Sequence, residues 1–262
     1  MSAVKIFLRN DDVNNLDAEL LEFWRIVCEN RACADMAVEP ANVVAETVSW
    51  LRELKQNHPD QISIITHGYD HVDKVPGMGE FGGRTYEDQI KDVRAGRELM
   101  DKNFGDDFFA AFTCPRGGHN QATIRCMDET GYKVFSSYHN VYAKNKILYG
   151  VGHLLRRTHL LGKRVSHHMQ RIPGSGLMDI SMSMSLIKRY FSDDDCEFPT
   201  LDYLKERLDR IRATGQTVIG VTVHHRYHRR PEHMQLIADA LRMFRDEGCE
   251  FSTLERLYKE LT

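Results

Sequence analysis

Two histidines three residues apart, His67 and His71, follow the run Ile62-Ser63-Ile64-Ile65-Thr66. Two imidazoles at that spacing can reach one ion from a single helical turn or a tight loop. A third ligand is needed, and the best source is Asn10-Asp11-Asp12, delivered by Val4-Lys5-Ile6-Phe7-Leu8-Arg9. Carboxylate and imidazole together suit zinc or a similar divalent metal. Three protein ligands leave an open coordination position, the mark of a catalytic rather than a structural ion. A helical zinc protease would need Glu directly after the first histidine; Gly68 stands there instead. Asp11 and Asp12 are neighbours, so on a strand they point opposite ways. One can ligate while the other faces the reacting water. A solvated turn is the competing reading of this Asn- and Asp-rich stretch. A second pair, His224-His225, closes Val218-Ile219-Gly220-Val221-Thr222-Val223. Either can act as a general acid, and alternation puts the two on opposite faces, so the residues alone leave the choice open.

The elements that must position these groups follow from the spacing of apolar residues. Val4 to Arg9 and Ile62 to Thr66 read as buried strands, rich in β-branched residues. Between them lie a helix capped by Asp17, a strand from Ala34 to Glu39, and a helix from Asn42 to Asn57. Val75 to Gly83 is Gly-rich and reads as a mobile loop; without a Lys-Ser/Thr ending it is no phosphate loop. Thr85 caps a helix to about Asn103. Strands at Phe108–Thr113 and Lys133–Tyr138 flank a helix from Gln121 to Thr130. From there to Phe198 the periodicity is unclear, with short strands and long loops expected. Thr200 to Ala213 and Pro231 to Glu247 are predicted helices around a strand from Thr217 to Val223. Cys249 to Ser252 closes as a strand before a last helix. This alternation argues for a parallel sheet, and polar residues at several strand ends favour a barrel.

The 262 residues are enough for a sizeable core, and we expect one domain over 1–262. A net charge of −3 gives no bulk electrostatic case for nucleic acid or an anionic membrane. No apolar run reaches the ~18 residues of a membrane span. Cys28, Cys33, Cys114, Cys126, Cys196 and Cys249 show no CxxC spacing and read as free thiols. The start of the chain enters the first strand at once, without a signal peptide, and a cytoplasmic location is expected.

An Asp-Asp pair at the end of the first strand, then His-x-x-x-His at the end of a later one, resembles the polysaccharide deacetylase family (NodB-like, carbohydrate esterase family 4). Phe112-Thr113-Cys114-Pro115-Arg116-Gly117-Gly118 resembles its Pro-containing loop, and the strand ending in His224 resembles its last strand. The motifs come in the family's order and span about residues 4 to 228. The resemblance implies an α/β fold, an irregular (β/α) barrel of about seven strands. It implies Asp12, His67 and His71 as metal ligands, Asp11 as general base and His224 as general acid. Two features depart from the family pattern. Thr113 stands where an arginine usually orients the catalytic aspartate, and Arg9 is the expected replacement. The family's Trp motif has no counterpart, since Trp24 and Trp50 fall in helices; Asp179 is the nearest stand-in.

The expected activity is therefore removal of acetyl from an N-acetylated sugar or glycan intermediate, with a divalent metal, most readily zinc. A backbone N–H near Pro115, Arg116 and Gly117 would meet the oxyanion. The run His225, Arg226, Arg229, with Arg156-Arg157, Lys163-Arg164 and His167-His168 as a further basic rim, suggests an anionic group on the substrate, such as a lipid or nucleotide diphosphate. Such intermediates belong to surface-polysaccharide assembly. A homo-oligomer is compatible with this reading. Two alternatives remain open: a metal-dependent hydrolase of a non-sugar amide, and a carbohydrate-binding relative without turnover.

Overall fold

The computed structural model describes residues 3–137, 146–155, 159–160, 163–164, 169–192 and 195–262. Arg156-Arg157, His167-His168 and Asp193-Asp194 lie outside them, as does Tyr138 at the end of an expected strand. In chain order the elements begin with β1 (Lys5–Val13), α1 (Ala18–Glu29), β2 (Ala34–Val38), α2 (Ala45–Asn57) and β3 (Ile62–His67). They continue with α3 (Tyr86–Phe104), β4 (Phe108–Thr113), α4 (Gln121–Glu129), β5 (Val134–Phe135) and α5 (Lys146–Leu154). Short strands follow: β6 (His159–Leu160), β7 (Lys163–Arg164), β8 (Gln170–Arg171), β9 (Met178–Asp179), β10 (Met182–Ser185), β11 (Arg189–Tyr190) and β12 (Cys196–Glu197). The chain ends with α6 (Leu201–Arg212), β13 (Val218–Val223), α7 (Pro231–Asp246), β14 (Glu250–Ser252) and α8 (Leu254–Leu261).

The main sheet has ten strands in the order β10-β13-β1-β2-β3-β4-β5-β9-β8, with β14 also pairing β1. The β1–β13, β1–β14, β4–β5 and β5–β9 ladders are parallel, as α-helical crossovers require. This is the α/β architecture expected of a NodB-like (β/α) barrel, with more strands than the seven anticipated. The excess comes from two- to four-residue strands between residues 170 and 185, too short to leave a periodicity in the sequence. Helix α5 was not expected at all.

Two compact units divide the chain, and the division passes inside β2, β3 and β10. One comprises 1–37, 44–64 and 184–262. Its core is built from the continuous apolar runs of β1 and β13 and from helix faces: Phe7, Leu8, Phe23, Leu241 and Phe244 are fully buried. Burying each such side chain stabilises the fold by roughly 1.5–3 kcal/mol. Asp17 caps α1 by accepting from the Leu20 N–H at 2.7 Å. The other unit comprises 38–43 and 65–183. Phe81, Phe112 and Tyr132 stack edge to face in its core, with centroids 5.5 and 5.0 Å apart. Phe81 belongs to the Gly-rich loop. That loop is therefore anchored in a core, contrary to the reading of a loose loop. All six cysteines are free, and no helix among the described residues is long and apolar enough to cross a membrane.

Candidate active site

Strand β1 is buried along nearly its whole length, yet it ends in Arg9, Asn10, Asp11 and Asp12. Buried charges are costly unless paired, so each of these residues must have a fixed partner. Arg9 and Asp11 are two apart and so share a face of the strand. The Arg9 Nε donates to Asp11 Oδ1 and Nη2 to Oδ2, both at 2.7 Å. This two-pronged pair fixes the plane of the Asp11 carboxylate. The Oδ2 atom also lies 3.9 Å from His224 Nε2.

Asp12 is held differently. Its backbone adopts φ +62, a left-handed conformation that costs free energy for a residue with a Cβ. Arg226 Nε lies 3.0 Å from its Oδ2. The sequence placed Arg226 among substrate contacts; here it forms an ion pair with a candidate metal ligand. Of the same run, Arg229 is exposed and its Nε donates to the Arg226 carbonyl at 3.0 Å.

His224 and His225 separate as strand alternation requires. His225 is buried and its ring is engaged on both sides. Its Nδ1 donates to Asn10 Oδ1 at 3.1 Å, and its Nε2 lies 3.7 Å from Asp17 Oδ2. Burial raises the Asp17 pKa, but the hydrogen bond and charge of His225 outweigh it and leave it lowered. His225 is thus tied into the packing of α1. His224 instead faces Asp11, and its Nδ1 is 3.0 Å from the Tyr190 hydroxyl. Loss of water first, then the Asp11 and Asp12 carboxylates, raise the Tyr190 pKa. Tyr190 sits on the two-residue β11, where no sequence pattern marked it. Four residues after His224, His228 Nδ1 donates to the His224 carbonyl at 3.0 Å and fixes the turn after β13.

In the other unit, His67 is the buried last residue of β3. Gly68 follows at φ +63 and His71 at φ +60. The two imidazole centroids are 5.3 Å apart. The buried Glu80 carboxylate accepts from the backbone N–H groups of Tyr69, Asp70 and His71, at 2.8, 3.3 and 3.1 Å. Burial, with help from the Asp70 charge, pushes its pKa up to about 7. Pro115 is buried in a short turn, and Arg116 there has φ +54 and an ion pair with Asp73 at 3.4 Å. The Gly117 N–H donates to the Cys114 carbonyl at 2.9 Å, which removes it from the expected oxyanion donors. Asp179 is fully buried on β9.

Asp12, His67 and His71 each offer one ligand atom, and these lie within 4.8 Å of one another. One carboxylate oxygen and two imidazole nitrogens, buried or half-buried, fit a divalent metal. Two of these three residues, Asp12 and His71, occupy left-handed backbone, a strained conformation of the kind that clusters at functional sites.

The fold is that of the polysaccharide deacetylases and carbohydrate esterases of family 4. A protein from Mycobacterium smegmatis, provisionally described as a polysaccharide deacetylase, superposes with TM-score 0.64 over 92% of this chain and 76% of its own, at 16% identity. A Streptococcus mutans esterase of that carbohydrate esterase family gives 0.60 over 96% and 86%, at 12% identity. A family 4 acetyl xylan esterase from Clostridium thermocellum, solved with a cobalt ion, gives 0.57 over 98% and 91%, at 13% identity. No protein-family model matches the sequence, and no curated protein matches it.

Proposed function

We propose that this chain is a divergent member of the polysaccharide deacetylase family and a metal-dependent carbohydrate N-deacetylase. The observation that carries the reading is that the two neighbouring carboxylates of β1 have different partners. Asp11 is clamped by Arg9 with His224 nearby, while Asp12 joins His67 and His71 as a donor set. Asp12, His67 and His71 would hold a divalent ion, which would supply Lewis-acid polarisation of the acetyl carbonyl and acidification of a water. Asp11 takes the proton of the attacking water. The Arg116 backbone N–H serves as oxyanion donor. The C–N bond then breaks, and His224 Nε2 gives a proton to the departing amine. An amine leaves far more readily protonated, so a positioned general acid favours amide over ester cleavage. Tyr190 holds His224 by its other nitrogen, which fixes the ring for that transfer.

The solved esterase from Clostridium thermocellum makes O-deacetylation the second reading. Of the two arginines expected to meet an anionic substrate group, Arg229 is exposed, which supports a substrate that carries one, such as a phosphate linker. Acetate release over N-acetyl sugars, their nucleotide-linked forms and acetyl xylan, with and without chelator, tests the reading. Chelator-sensitive acetate from an N-acetyl sugar is expected. Acetate from acetyl xylan alone would turn the assignment to the esterase, and none from any substrate would oppose it.

A further inference from the structure

The loop that carries His71 has no hydrogen-bonding side chain directly after His67; Gly68 stands there. Something else must hold three consecutive amides and a left-handed histidine. Glu80 does so. Its Oε1 accepts from Tyr69 and Asp70, and its Oε2 from His71. Three successive N–H groups converging on one carboxylate form an anion nest, here filled from within the chain. The nest curls the backbone so that His71 turns back toward His67, with ring centroids 5.3 Å apart. Gly68 makes the closure sterically feasible. A Cβ there would lie 2.3 Å from Glu80 Oε2 and 2.6 Å from Pro115 Cγ and Cδ. The Gly68 N–H also donates to the Thr113 carbonyl at 2.9 Å. Phe81, next in sequence, is locked against Phe112 and keeps Glu80 from withdrawing.

We infer that Glu80 is a positioning residue for the metal site: it sets the geometry of His71 as a ligand through the backbone amides of 69–71. The inference rests on the metal reading proposed above. It assigns to the Gly-rich stretch a role that its composition hides.

The test is Co(II) binding by the purified chain, followed by titration and by the visible absorption of the bound ion. Wild type is compared with Glu80→Gln, His71→Ala and the double variant. Glu80→Gln keeps the side-chain volume but replaces one acceptor oxygen with an NH2 donor. It should weaken Co(II) binding by roughly 10–100-fold, the usual cost of disturbing a group that orients a ligand, and change the absorption bands. In the His71→Ala background the same substitution should have almost no further effect, because the residue it positions is gone. Glu80→Asp, which withdraws the carboxylate by one methylene, supplies a second variant if Glu80→Gln does not fold. Additive losses, or unchanged affinity in a folded Glu80 variant, would overturn the inference while leaving the metal site standing. A wild type that binds no Co(II), or binds it as well after His67→Ala, would overturn both.

Discussion

The two places that supply the candidate ligands solve opposite electrostatic problems. At the end of β1 the functional groups are anions in a buried strand, and side-chain cations hold them: Arg9 on Asp11, Arg226 on Asp12. At the end of β3 the functional groups are imidazoles on a curled loop, and a side-chain anion holds the backbone instead: Glu80 on three amides. The first arrangement tunes charge, and the second sets shape. Substitutions at the two places should therefore fail differently.

The largest effect is expected from removing a ligand. Asp12→Ala or His67→Ala should abolish metal binding and reduce acetate release to background, with the fold retained. Next comes the neighbouring carboxylate. Asp11→Asn should keep the metal and lower kcat on the order of 10³-fold, the scale of a lost general base. Steady-state kinetics beside metal analysis distinguishes the two classes. If Asp11→Asn also strips the metal, the division of labour within β1 is wrong.

His224 and His225 sharpen the same contrast within two residues. His224→Ala should cost about 10²–10⁴-fold in kcat with little change in melting temperature. His225→Ala should act mainly on stability, because that ring is bonded to Asn10 and faces Asp17. Kinetics and thermal melts on both variants decide it; a silent His224 and a dead but stable His225 would reverse the assignment. Arg226 is a further point of difference from the sequence reading. Charge reversal there should impair metal binding through Asp12 rather than raise KM alone.

The smallest effect is in acid stability. Burial, opposed by the bond to the His224 carbonyl, lowers the His228 pKa from 6.5 to about 3. Below about pH 6.5 the unfolded chain binds a proton that the folded chain refuses. Stability of the metal-free protein should thus be full above that pH and fall as pH drops toward 3, by up to ~1.4 kcal/mol per unit from this group. Urea unfolding from pH 7.5 to 4.5 should show a flatter slope in His228→Gln; an unchanged slope would exclude His228 as the cause.

The long strands and their ends were legible in the sequence because β1, β3 and β13 carry buried runs of apolar and β-branched residues that lead into chemistry-bearing side chains. His67 and His71 came from that pattern, whereas the choice of Asp12 over Asp11 as the third candidate came only from the family resemblance. The rest was hidden for physical reasons. Glu80 lies among glycines, in a stretch whose composition reads as a mobile loop and hides its place beside a core. Tyr190 sits on a strand too short to have a period. Arg226 belongs to a basic run that reads as a contact for an anionic substrate group, and its pairing with Asp12 depends on two strand ends far apart in sequence. Asp12 also adopts a left-handed backbone within a strand, which local propensity would have argued against.

The most direct measurement is the metal-to-protein ratio of wild type, Asp11→Asn and Asp12→Asn, purified and loaded side by side. A ratio near that of wild type is expected for Asp11→Asn and almost no metal for Asp12→Asn. Loss of metal from Asp11→Asn, with retention in Asp12→Asn, would contradict this expectation.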